Sequence, residues 1–276
     1  MVTEAEVARH YTHGRLETAI LEAMRASGAN PEALTAADLA PVDEFHLGWY
    51  AATVELAVDA GLGPGVDVVD LGSGIGGPAR YFAEAHGCNV FGIDLTDEFV
   101  AVANDLTARC ALDHKAVFVQ GSALEIPFPN ARFDVATLMH VGMNIQDKAK
   151  LFAEARRVLK PSGTFVVYDV MRMDDSPLPY PLPWAETEAT SFVETPDTYR
   201  RLLEAAGFGI ARERNRRDLA LEQGRTMREY TAQHGVPPLG LHILMGPAAT
   251  PRLVNMMAIL ERGNIAPIEM VARIRG

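Results

Sequence analysis

"VVDLGSGIGGPARYFA", Val68 to Ala83, runs from an apolar strand-like segment through Gly72, Gly74, Gly76 and Gly77 into a helix-forming sequence. Gly72, Gly74 and Gly77 satisfy G-x-G-x-x-G, a turn that lets the backbone approach a ligand closely at the start of a helix. Taken alone, the pattern admits a dinucleotide or a different cofactor. Asp70, two positions before the first glycine, separates the two. A pyrophosphate carries about two negative charges, and a carboxylate in that turn opposes it in a partly dry site. A sulfonium and an ammonium, as in S-adenosylmethionine, gain from the same carboxylate. Asp94, at the end of the next apolar run, is placed to accept from both hydroxyls of an adenosine ribose.

Outward from the loop, short apolar runs alternate with helical patterns. "VDVVDL" precedes the glycines and "GGPARYFAEAH" follows them. "NVFGIDL" leads to a helix capped by Thr96, with Phe99, Ala103, Leu106 and Cys110 on one face. "AVFVQ" and "FDVATLM" are further strands, followed by helix "DKAKLFAEARRVL", turn "KPSG" and strand "TFVVYDV". Thr195 as cap and Pro196 in the first helical position open "PDTYRRLLEAA"; "FGIARER" and "PIEMVARIR" read as the last strands. This alternation predicts an α/β fold with a mostly parallel sheet and helices on both faces.

The flanks read differently. "TEAEVARHY" and "GRLETAILEAMRAS" are amphipathic helices, "GANPEALTAADLAPVDEF" is turn-rich, and a helix from Trp49 to Ala60 stops at Gly61. "RMDDSPLPYPLPWA" is a proline-rich loop over the sheet edge, and helices are expected near Leu219–His234 and Pro251–Arg262. The expected division is an N-terminal helical cap over 1–60 and a Rossmann-like core over 61–276, with cap insertions near 175–195 and 218–262.

In their order and spacing, "VVDLGSGIGG", "VFGIDL", "VQGSALEIPF", "FDVATLMHVGMNI" and "RVLKPSGTFVVYDV" resemble the motifs of class I S-adenosylmethionine-dependent methyltransferases, across about Val66 to Val170. The resemblance implies a seven-stranded, mostly parallel sheet with an antiparallel last strand, and S-adenosylmethionine bound across the strand ends. It places Gly72 and Gly74 along the methionine portion of the cofactor, Asp70 near its amino group, Asp94 on the ribose with Leu95 against the adenine, and Met139 among the cofactor-binding residues. Where the family commonly has an acidic residue for the adenine amino group this chain has Ser122, so that contact falls to Ser122 or to the backbone of Ala123. Tyr11 is the counterpart of N-terminal tyrosines that close over the cofactor, or a packing residue.

"FHLGWY" resembles a segment of the glycine, sarcosine and dimethylglycine N-methyltransferases, with His46, Gly48 and Tyr50 matching. Asn144 falls at an asparagine of the quinone C-methyltransferases, where Met143 replaces the family's arginine. His140, just past the fourth strand, and His46 are the candidate catalytic residues, as base or substrate orienter. Asn144, Tyr50, Trp184, Phe192 and His242 are the candidate acceptor contacts, with Leu241 and Met245 as further walls. The expected reaction is methyl transfer to nitrogen or oxygen of a small, partly apolar molecule. The alternatives are C-methylation of a prenyl, quinone or aromatic-type acceptor, an NAD-dependent oxidoreductase, or a non-catalytic cofactor-binding protein.

A formal charge of -11 over 276 residues argues against general nucleic-acid binding. The alternating Arg212, Arg214 and Arg216 read either as a site for an anionic substrate or as a solvated or self-paired face. No run approaches the roughly 18 apolar residues of a membrane span, and the start has no signal-peptide pattern. Cys88 and Cys110 lack metal-ligand or disulfide spacing, and no acidic–histidine cluster suggests a metal. A cytoplasmic location is expected, with no nucleic-acid or membrane partner; oligomeric state is left open.

Overall fold

The computed structural model describes residues 4–12 and 14–275. Seven strands, β1 (Asp67–Leu71), β2 (Asn89–Asp94), β3 (Ala116–Gln120), β4 (Phe133–Met139), β5 (Leu159–Arg172), β6 (Phe208–Asn215) and β7 (Ile265–Ile274), form one sheet in the order β3-β2-β1-β4-β5-β7-β6. The five strands from β3 to β5 pair in parallel, and β7 runs antiparallel between β5 and β6. The sequence order reverses on either side of β1, so the carboxyl ends of β1, β2 and β4 border a crevice, the place where open α/β sheets bind ligands. Asp70 sits there, in register with Gly92 on β2 and Thr137 on β4.

Helices α1 (Glu4–Tyr11), α2 (Leu16–Ala26), α3 (Ala36–Asp43), α4 (Trp49–Asp59), α5 (Gly77–His86), α6 (Asp97–Arg109), α7 (Lys148–Val158), α8 (Pro196–Ala205), α9 (Arg217–His234), α10 (His242–Met245) and α11 (Ala249–Arg262) surround the sheet. Central strands buried on both faces explain the nearly continuous apolar runs. On one face Leu151, Phe152, Ala155 and Val158 of α7 pack with Tyr199 and Leu203 of α8; on the other, Leu56 of α4, Phe82 of α5 and Ala103 of α6 pack on Val68 and Val135. A third cluster joins Ile20 and Met24 of α2, Leu39 of α3 and Phe99 of α6 to Leu244 of α10, so the N-terminal helices and α10 pack together.

Several local expectations are corrected. The turn-rich stretch contains α3, which begins with a capping box: Asp38 N–H donates to the Thr35 hydroxyl while the Asp38 carboxylate accepts from Thr35 N–H. Pro41 inside this helix hid it from a reading by turn residues. "GLHILMG" holds the short α10. Thr96 stands at the N-cap of α6 without a side-chain capping bond; its N–H instead donates to Asp94. By length and composition His242–Arg262 is apolar enough to cross a membrane, which departs from the expectation of no such segment. It is divided into α10, a 3-10 turn and α11, and Leu244, Met256, Ile259 and Leu260 are buried in the protein. Arg212 and Arg214 pair with Asp59, Arg214 also with Glu269, and Arg216 with Glu55, so the arginine tract serves the chain's own acids.

One polar pair ties α3 to α5. Arg80, fully buried, donates to Asp43 Oδ2 at 2.7 Å, to the Ile75 carbonyl at 2.8 Å and to the Thr107 hydroxyl at 3.0 Å. Gly77 leaves the room for Asp43, because a side chain there would meet the Asp43 carbonyl and carboxylate.

Candidate active site

The glycine loop is built by its conformations and by β2. Gly72 and Gly74 have φ of 74° and 55°, a region that excludes most side chains, and the N–H groups of Gly72 and Ser73 donate to the Ile93 carbonyl at 2.8 and 3.0 Å. A side chain at 72 would collide with Val141, whereas one at 74 would project into open space. That open space belongs to a cavity of about 330 Å³. Asp94 organises the loop from β2: one carboxylate oxygen accepts from Gly74 N–H at 2.8 Å and the other from Thr96 N–H at 2.8 Å. Burial raises the Asp94 carboxyl above the usual range against these hydrogen bonds.

Asp70 lies at the cavity floor, buried, with the Thr137 hydroxyl donating to Oδ1 at 2.6 Å. Burial pushes its carboxyl up to about 6, and the Thr137 bond works in the opposite sense. A bound ammonium favours the ionised form, so below about pH 6 binding must first remove a proton from Asp70. The affinity for S-adenosylhomocysteine is therefore expected to fall by up to about tenfold per pH unit below that point, and to be level above it. Calorimetric titrations between pH 5 and 8, about that range, check the sign.

Two histidines meet at the edge of this floor, 5.8 Å apart by ring centres. His140 has a φ of 56°, and its N–H donates to the Tyr168 carbonyl at 2.8 Å. Nδ1 contacts the same carbonyl at 3.2 Å, while Nε2 accepts from Leu47 N–H at 3.1 Å. Both ring nitrogens are engaged, and burial holds the ring well below its ordinary pKa, so His140 is a neutral tether between β4 and the segment before α4. His46 differs. Its Nε2 lies 2.7 Å from Glu44 Oε2 and 3.1 Å from the Thr53 hydroxyl, and Thr53 also donates to that carboxylate oxygen.

Above the floor, Tyr11 of α1 donates to Asn144 Oδ1 at 3.3 Å, which brings the N-terminal helix across the cavity mouth. Burial raises the Tyr11 phenol. Leu95, Ala123, Met139, Trp184 and Phe192 also line the cavity, so of the residues expected from sequence the structure gathers these with Tyr11, His46, Asp70, Gly72, Gly74, Asp94, His140 and Asn144. Four others lie outside the lining, among them Met245, which is buried in α10. Tyr50 points outward, 38% exposed, and packs edge-on to Tyr81; Ser122 bonds to Glu4 and to Leu124 N–H; His242 sits on α10 behind Leu241 and Leu244, which do line it. Sequence reading missed the walls Phe45, Leu47, Trp49, Leu253 and Met256, and Glu44; "EFHLGWY" carried the signal, an acid two positions before the histidine. Among the described residues no lysine or arginine lines the cavity, and no group of His, Cys, Asp or Glu is arranged to hold a metal.

The donor set fits S-adenosylmethionine. Asp94 offers carboxylate oxygens beside a glycine with open space in front of it, and Asp70 offers a buried anion for an ammonium. Fold and loop together define the class I S-adenosylmethionine-dependent methyltransferases. Residues 69–167 match the family model described as a methyltransferase domain. It is similar to the sarcosine/dimethylglycine N-methyltransferase of Halorhodospira halochloris, 28% identical over 207 residues, 70% of this chain and 74% of that protein. It is also similar to the sterol 24-C-methyltransferase erg6 of Schizosaccharomyces pombe, 37% identical over 120 residues; the match spans 44% of this chain and about a third, 32%, of that protein. Among solved structures, the [4+2]-cyclase SpnF superposes with a TM-score of 0.67 at 22% identity, over 99% of this chain and 96% of that one, a likeness of fold.

Proposed function

We propose that this protein transfers the methyl group of S-adenosylmethionine to a heteroatom of a small acceptor with an extensive apolar body. The observation that carries the reading is Asp70, buried beside open backbone at Gly74, with Asp94 across the loop. When bound, S-adenosylmethionine supplies an electrophilic methyl group, and the chain's own work is to align the acceptor and exclude water. Such alignment is worth about 7–11 kcal/mol of barrier. In this reading Asp70 holds the ammonium, Asp94 the ribose, and Leu95 and Ala123 border the adenine. Tyr11 and Asn144 shut the mouth, with residues up to 60 and those near 175–195 and 218–262 as the cap.

The walls argue for the acceptor class. Leu47, Trp184, Phe192, Leu244, Leu253 and Met256 surround the space on the cap side, and cationic side chains are absent from the described lining. This supports neutral or cationic acceptors over phosphorylated ones. Transfer to carbon is a second reading, favoured by the aromatic Trp184 and Phe192 walls, which suit an electron-poor intermediate. Both cysteines are free, Cys88 buried and Cys110 half-buried, which supports a reducing, cytoplasmic setting.

The test is incubation with methyl-labelled S-adenosylmethionine and a set of apolar alcohols, phenols, amines and alkenes, each beside a phosphorylated counterpart. Label is expected in an unphosphorylated acceptor. Label only in phosphorylated compounds contradicts the acceptor class. A product formed without label points to chemistry of the kind named for the cyclase neighbour.

A further inference from the structure

The methyl-transfer reading leaves the base unassigned, and the geometry separates the two histidines. Both nitrogens of His140 are spent on backbone, one on the Tyr168 carbonyl and one on Leu47 N–H. His46 lines the same cavity, and its Nε2 is held by Glu44, itself buried, and by Thr53 of α4. An Nε2–H donated to a carboxylate leaves the lone pair on Nδ1. Nδ1 lies 3.5 Å from the Leu47 carbonyl, an oxygen that already accepts the Tyr168 hydroxyl at 2.6 Å.

We propose that His46 is the general base, that Glu44 is the residue that positions it, and that the acceptor is accordingly an apolar alcohol or phenol. The inference rests on the methyl-transfer reading and narrows it. A neutral amine attacks with a free lone pair, whereas a hydroxyl gains nucleophilicity only as its proton leaves. In the step, an oxygen lone pair of the acceptor forms the bond to the methyl carbon, the carbon–sulfur pair stays on sulfur, and the hydroxyl proton passes to Nδ1 of His46. The sulfonium charge is thereby exchanged for an imidazolium charge, which Glu44 meets through Nε2–H. The remaining titratable groups around the ring are Asp70 on β1, His140 after β4 and Tyr168 on β5, with Asp43 of α3 facing Glu44 and paired to Arg80. Asp70 is committed to Thr137, and Tyr168 to Leu47, so Glu44 is the carboxyl group that bonds the imidazole.

The direct test is long-range proton–nitrogen NMR of histidine-labelled protein holding S-adenosylhomocysteine, with the His46 signal assigned by its loss in His46→Asn. At alkaline pH the neutral ring is expected as the Nε2–H tautomer with Nδ1 bare. A ring protonated on Nδ1 overturns the proposal whether or not an acceptor is in hand. With apolar alcohols and phenols as probes, His46→Asn is expected to lower kcat by about 10²–10⁴-fold while the KM for the methyl donor stays within about twofold. Glu44→Gln is expected to lower kcat and move the acid limb of the rate profile about one pH unit down, with Glu44→Asp restoring part of both. An unchanged limb in Glu44→Gln, or label found on carbon or on amines alone, rejects the assignment and leaves methyl transfer standing. Failure of the parent protein to bind S-adenosylhomocysteine rejects methyl transfer itself. If Glu44→Gln does not fold, the tautomer in the parent and the kcat of Thr53→Val carry the decision: Thr53→Val is expected to lose several-fold in kcat, and parent-like kcat counts against the triad.

Discussion

Asp94→Ala is expected to weaken S-adenosylhomocysteine binding by about 10²–10⁴-fold while the protein stays folded. In the structure both carboxylate oxygens of Asp94 accept loop amides, from Gly74 and Thr96 at 2.8 Å each, so the side chain shapes the loop and faces the cavity at once. Each hydrogen bond to a charged acceptor is worth about 1.5–3 kcal/mol, and two ribose hydroxyls double the loss, about tenfold in affinity for every 1.4 kcal/mol. Calorimetric titration reads the affinity and circular dichroism the fold. Parent-like affinity would remove Asp94 from the cofactor site.

Arg80→Leu is expected to destabilise the protein by about 3–5 kcal/mol, because it strands Asp43 in the interior. For a chain of this size that corresponds to a drop of roughly 10 °C in Tm. Asp43 lines the cavity and α3 packs on α5 through this pair, so cofactor binding is expected to weaken as well. Burial pushes the Asp43 carboxyl up to about 6, still ionised at neutral pH beside Arg80. Lowering the pH through that value protonates Asp43 and is expected to narrow the difference between parent and variant. Chemical denaturation at about pH 7.5 and pH 5 checks both the size and the trend. An unfolding free energy unchanged by the substitution would contradict the role given to the pair.

The core was legible because its strands are buried on both faces, and continuous apolar runs such as "DVVDL" and "FDVATLM" leave few other readings. Asp70 was legible because a carboxylate at a strand end before a glycine turn is costly unless a ligand or a loop answers it, and Asp94 because it ends the next apolar run. The cap was harder. α3 carries a proline inside and shows its start only through Thr35 and Asp38, a pattern local enough to be lost among turn residues. Tyr50 and His46 lie four positions apart in one motif, yet the left-handed Gly48 between them turns the tyrosine to solvent and keeps the histidine in. Glu44 and Leu47 matter through bonds to Thr53, His140 and Tyr168, between nine and 121 residues away in sequence, and no local pattern reports such partners. The same long-range bonds distinguish the two histidines: backbone groups engage both nitrogens of His140, whereas Nε2 of His46 is held by Glu44 and Thr53.

The proposed cofactor site places a positively charged ligand on the turn beginning at Gly72, facing Asp70. Calorimetric titration of the purified protein with S-adenosylmethionine, S-adenosylhomocysteine and NAD, in one buffer at neutral pH, tests it most directly. Saturable one-to-one binding of the first two with no heat from NAD is the predicted result; saturable binding of NAD with no response to either sulfur compound would contradict it.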